Sequence, residues 1–104
     1  MTSKQRAFLI SLASKEQTII HIGKNGITPE LTLSVDEALE ARELIKIGMQ
    51  QNCADLPADL AQTLSERTNS SVVQVIGRKI VLYRTGKGKK RKIELPRETK
   101  KGQS

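Results

Sequence analysis

Residues 18–49, TIIHIGKNGITPELTLSVDEALEARELIKIGM, decide the fold. The stretch opens with a β-rich run, residues 18–22. It breaks at Gly23-Lys24-Asn25-Gly26. Thr28-Pro29 then starts a helix, with Thr28 as N-cap and proline at the first helical position. Leu31, Val35, Ala38 and Leu39 recur at helical spacing, while Glu30, Asp36, Glu37 and Glu40 face elsewhere. The helix should end near Ala41. Residues 44–49 form a second strand, with Ile45, Ile47 and Met49 on one face. Strand, helix and strand within about 30 residues make a βαβ unit. Its strands should be parallel, with a right-handed crossover.

The pattern continues outward on both sides. Residues 3–14 read as a helix, because Phe8, Leu9, Leu12 and Ala13 share one arc; Thr2 or Ser3 can cap it. After the βαβ unit, residues 52–57 form a loop into a third helix with Leu56, Leu60 and Leu64 on its buried face. Residues 72–76 and 80–84 are two more strands. Gly77-Arg78 between them suits a II′ turn and an antiparallel hairpin. The order αβαβαββ predicts an α/β fold, a four-stranded mixed sheet with three helices. A two-layer sandwich is the economical packing.

The chain has 104 residues, the size of one domain. Its net charge of +7 is unevenly placed. Residues 1–83 hold nine basic and nine acidic side chains, and residues 84–104 hold nine basic and two acidic. A neutral body with a basic tail points to a polyanion such as nucleic acid; the alternative is a solubilising tail. Trp is absent, and Phe8 and Tyr83 are the only Phe and Tyr. That argues against modules that stack bases on an aromatic platform. The single cysteine, Cys53, excludes an intramolecular disulfide and fits a reducing compartment. No apolar run reaches the ~20 residues of a membrane span, and residues 1–13 lack the features of a signal peptide. The expectation is a soluble, cytoplasmic protein.

Gly23, Lys24, Asn25 and Gly26 lie between a strand and a helix start. Two glycines three apart allow a tight turn and close approach of another backbone. Lys24 could then meet a phosphate, aided by the helix N-terminus. The GXXG clamp of KH domains uses the same device. A plain glycine turn is the competing reading, since the tetrapeptide is short. It is not a Walker A loop, which needs G-x-x-x-x-G-K-[ST].

Four segments, SKQRAFLISLA, IIHIGKNGIT, EALEARELIKI and VVQVIGRKIVLYR, resemble the CRM (chloroplast RNA splicing and ribosome maturation) domain in its stand-alone bacterial YhbY-type form. The similarity runs over residues 3–96. It implies an RNA-binding domain similar in fold to the C-terminal domain of bacterial translation initiation factor three. It also implies association with precursors of the large ribosomal subunit. The family's RNA-contacting loop falls on Gly23, Lys24, Asn25 and Gly26. Two positions depart from the family pattern: Ala7 replaces a usual basic residue, and His21 stands where Gln is common.

Lys4 and Lys15 at the first helix, and Arg78 and Lys79 at the hairpin tip, are further candidate RNA contacts. Lys87, Lys89, Lys90, Arg91 and Lys92 form a flexible basic segment that could widen the electrostatic footprint. Residues 1–96 are read as one domain and residues 97–104 as a disordered basic tail. His21 has no partner set for a metal and reads as a polar residue on a sheet face. Cys53 has no His in a catalytic arrangement. Asp36, Glu37, Glu40 and Glu43 read as a solvated helix face. No catalytic residue, metal, cofactor or small-molecule substrate is expected. The leading reading is a monomeric, non-enzymatic binder of ribosomal RNA in precursors of the large subunit. The alternatives are a small RNA-processing or RNA-modifying enzyme, or a protein–protein adaptor with a basic tail.

Overall fold

The computed structural model describes residues 2–85. The elements are α1 (Ser3–Ala13), β1 (Thr18–Ile22), α2 (Pro29–Arg42), β2 (Leu44–Met49), α3 (Pro57–Thr68), β3 (Ser71–Ile76) and β4 (Lys79–Tyr83). The strands form one sheet in the order β1-β2-β4-β3. β1 and β2 are parallel across α2, as the βαβ pattern requires, and β4 runs antiparallel to both β2 and β3. The candidate residues Lys87, Lys89, Lys90, Arg91 and Lys92, and the proposed boundary at residue 96, lie outside the described residues.

The local signals act where the residue types place them. Thr2 caps α1 in a capping box: its hydroxyl accepts from the Gln5 amide, and the Gln5 side chain accepts from the Thr2 amide, both at 3.1 Å. Thr28 caps α2, with Pro29 in the first turn. Gly77 takes a φ of 54° while Arg78 stays out of the left-handed region, the pattern of a II′ turn.

β4 sits between two strands, and Ile80, Val81, Leu82 and Tyr83 are all buried. Successive residues of a strand point to opposite faces. Ile80 and Leu82 therefore join Ile45, Ile47 and Met49 under α2 and α3, with Val35, Leu39, Leu60 and Leu64. Val81 and Tyr83 join Leu44 and Val73 on the other face, where Leu9 and Ala13 of α1 cover them. The two-layer expectation is thus corrected. α2, α3 and the sheet make two layers, and α1 adds a third, because β2 and β4 carry apolar residues on both faces.

Two further expectations are corrected. Leu56 is not on the buried face of α3. It is the extended N-cap residue, 65% exposed, and the helix begins at Pro57. Glu43 is not on a solvated face; it is fully buried. α2 ends at Arg42 and β2 starts at Leu44, so Glu43 alone makes the joint, at φ 66° and ψ −42°. Its amide donates to Leu39 O at 2.8 Å and its carbonyl accepts from the Arg84 amide at 2.9 Å.

Arg84 ties the end of the sheet to both helices of the larger core. Its guanidinium donates to the Asp36 carboxylate at 2.6 Å, to Asp36 O at 2.9 Å and to Thr68 O at 2.8 Å. On the other side, Arg6 of α1 donates to Val72 O and Val73 O at 3.2 and 3.1 Å. There the β3 register slips by one residue between Val72 and Gln74.

Candidate nucleic-acid interface

Gly23-Lys24-Asn25-Gly26 forms a tight turn at the C-terminal end of β1, closed by the Gly26 amide donating to Gly23 O at 3.0 Å. Lys24 and Asn25, its central residues, are exposed, whereas Gly26 is buried. The turn is braced from below by the segment after β2. The Gln50 amide donates to Ile22 O at 2.8 Å, which extends the β1–β2 ladder by one bond. The Gln50 side chain lies against Gly23, and the Asp55 carboxylate lies against Gly26. Cys53, whose amide donates to Gln50 O at 3.1 Å, anchors this segment in the core. That packing is the role the structure gives the thiol-bearing side chain.

Gly26 has a φ of 65°, and a Cβ there would stand 2.8 Å from Asp55 Oδ2. Gly26→Ala is expected to cost roughly 1–2 kcal/mol for the left-handed backbone, read as a lower midpoint in urea unfolding. Gly23 is not in that region, and its Cβ would meet only the movable end of Gln50 at 3.0 Å. Gly23→Ala should cost clearly less, and equal costs would contradict the turn geometry.

The hairpin tip comes to the same end of the sheet. The Met49 amide donates to Arg78 O at 2.8 Å, and the Arg78 guanidinium donates to Gln50 O at 3.1 Å. Arg78 thus shares Gln50 with the GKNG turn. Lys79 starts β4 and reaches across the sheet, its Nζ donating to Thr18 Oγ1 at 3.2 Å. Lys24, Asn25, Arg78 and Lys79 are all exposed. Lys4 and Lys15 are exposed as well, but Lys4 belongs to α1 and Lys15 to the turn between α1 and β1. Lys15 precedes β1 and lies at the strand end remote from the turn, roughly 15 Å away at ~3.3 Å per residue.

The helix terminus adds less charge than the sequence implies. Pro29 has no N–H, the Leu31 amide is taken by Thr28 Oγ1 at 3.0 Å, and Glu30 stands in the first turn. The turn's cationic character rests on Lys24 and Arg78. Gln50 and Asp55 escape sequence reading, since they meet the turn only after β2 pairs with β1. Among the described residues, no group of three or more His, Cys, Asp or Glu side chains is placed to hold a metal. No described helix is long and apolar enough to cross a membrane.

By fold and site this is a small mixed-sheet α/β module built around an exposed GxxG turn. The family model of the CRS1 / YhbY (CRM) domain matches residues 1–84. The chain belongs to that family. It is 44% identical over 96 residues to the Bacillus subtilis protein named "Probable RNA-binding protein YqeI", spanning 92% of this chain and 99% of the relative. It is 31% identical over 98 residues to a Haemophilus influenzae protein named "RNA-binding protein", spanning 94% of this chain and 97% of the relative. The solution structure of a hypothetical protein from Staphylococcus aureus shares the fold. Its TM-score is 0.77 at 48% identity, over 92% of this chain and 99% of that one.

Proposed function

We propose that the protein binds RNA through the GKNG turn and the neighbouring hairpin tip. Its target is ribosomal RNA in precursors of the large ribosomal subunit, and its role is in assembly rather than catalysis. The carrying observation is that Gln50 ties the GKNG turn, at Gly23, to the hairpin tip, at Arg78, which brings the exposed Lys24 and Arg78 to one end of the sheet. Gln50 and Asp55 fill the space beside the two glycines, so a sugar-phosphate backbone would meet the turn at its exposed crown, Lys24 and Asn25. Its relatives' names support RNA as the polyanion, and the excess of basic residues after Tyr83 supplies further attraction. Phosphate contacts of this kind position an RNA without reading its sequence. The protein would act as a monomer in the cytoplasm.

Gradient sedimentation of a lysate, with the protein traced by antibody, tests this reading. The protein is expected with large-subunit precursors and not with translating ribosomes. Lys24→Ala should weaken RNA binding several-fold in an anisotropy titration and leave the melting temperature unchanged, because an exposed turn side chain packs on little. A protein found only at the top of the gradient at low and moderate salt would sink the assembly role. Equal affinity of variant and parent would sink the turn assignment.

A further inference from the structure

Among the described residues, the sheet face that carries α1 is only partly covered. α1 packs on Leu44, Val73, Val81 and Tyr83. The row nearest the GKNG turn lies beyond that cluster. His21, Gly48, Lys79 and Ile76 are successive partners across β1, β2, β4 and β3. His21 and Lys79 are exposed, and Ile76 is 59% exposed. In the next row, Thr18 pairs with Lys46, Lys46 with Val81 and Val81 with Gln74; α1 covers Val81, so the open part of this row is Thr18 and Lys46. None of the residues in these two rows is acidic.

Gly48 makes the strip flat. A Cβ there would stand 3.0 Å from Thr18 Cγ2 and 3.4 Å from both His21 Nδ1 and Lys79 Nζ. The three side chains therefore lie down over the glycine. His21 presents the one exposed aromatic ring among the described residues, since Tyr83 is buried and Phe8 half-buried. Three inter-strand spacings make the strip about 14 Å wide. A four-stranded sheet of that width can carry about two or three bases.

We infer that an RNA single strand held at the GKNG turn continues across this strip. Lys79 and Lys46 meet its phosphates, and one base lies against the His21 ring. The inference rests on the RNA-binding reading above and adds to it a path and a base contact. His21 is two residues from Gly23, and Lys79 follows Arg78, so the strip is continuous with the turn. Base-to-ring contact tolerates any sequence, because every base has a π-face. A duplex, whose bases are stacked inward, could use the two ammonium groups but not the ring.

The test uses the full chain and a fluorescein-labelled single-stranded RNA of mixed sequence, titrated at several salt concentrations. Lys46→Gln with Lys79→Gln should lower the slope of log K against log salt by about 1.4, at 0.7 per phosphate contact. Lys46→Arg with Lys79→Arg should restore it. His21→Ala should weaken binding about five-fold or more with the slope unchanged, and His21→Phe should retain affinity. Thermal melts accompany each variant; should the glutamine pair melt early, Lys46→Gln and His21→Ala singly carry the test. If the parent binds and only Lys24→Ala weakens it, the strip is overturned and the turn stands. If the parent does not bind RNA, both readings fall.

Discussion

Truncation after Thr85 is expected to lower the salt slope of RNA binding by roughly 2 to 3, if about three or four of the removed cations touch phosphate. The cut removes eight basic and two acidic residues, Lys87, Lys89, Lys90, Arg91 and Lys92 among them. It keeps the bonds that close the body: the Arg84 amide to Glu43 O, the Arg84 guanidinium to Asp36 and Thr68, and Thr85 Oγ1 to the Tyr83 hydroxyl. The truncated chain should therefore still give a cooperative thermal melt. Affinity should fall alike for different RNA sequences, because phosphate contacts do not read bases. Truncation after Pro96 should change affinity little. It spares the 87–92 cluster and removes Arg97, Lys100 and Lys101, which lie farthest along the chain from the GKNG turn. An unchanged slope in the Thr85 truncation would make the basic segment a solubilising appendage.

The largest effect on stability is expected from Leu9→Ala. Leu9 is fully buried and is the centre of the smaller core, between α1 and Leu44, Val73, Val81 and Tyr83. Leucine-to-alanine changes at such sites cost about 2–5 kcal/mol, from lost transfer energy and the cavity left behind. A cost of about 3 kcal/mol would lower the melting temperature by roughly 12–20 °C in a domain of this size. Urea unfolding gives the number, and amide exchange locates it. α1 amides should lose protection first, while those of α2 and α3, on the opposite face, are less affected. A change below about 1 kcal/mol, typical of a surface site, would contradict the third layer.

The local grammar of the chain was legible. Thr28-Pro29 before an apolar period, and Gly77-Arg78 between two β-rich runs, lie where the helix and hairpin begin and turn. Both act within four residues, so no tertiary knowledge is needed. Layering was harder. The run Ile80 to Tyr83 has no polar alternation, which already says that both faces of β4 are covered. Which helix lies on which face depends on contacts distant in sequence. Glu43 misled because a periodic reading assigns it to the polar side of α2. The one-residue joint to β2 overrides the period and turns it inward. The GKNG turn could be located as a turn, but its brace could not. Gln50 and Asp55 reach it only through β1–β2 pairing, and Arg78 only because β4 lies beside β2.

The Arg6 contact has a consequence beyond its two hydrogen bonds. Among the described residues β3 is a border strand, and such borders recruit strands from other molecules when their carbonyls are open. Exposed Val75 and Ile76 sit on that border and would favour such growth. Arg6 occupies the carbonyls of Val72 and Val73, and the slipped register beside them spoils the template for an incoming strand. Arg6→Ala is therefore expected to raise edge-to-edge self-association, read by light scattering on mild heating. A lesion that loosens α1, even one in its apolar face, would open the border at the same time as it uncovers the sheet.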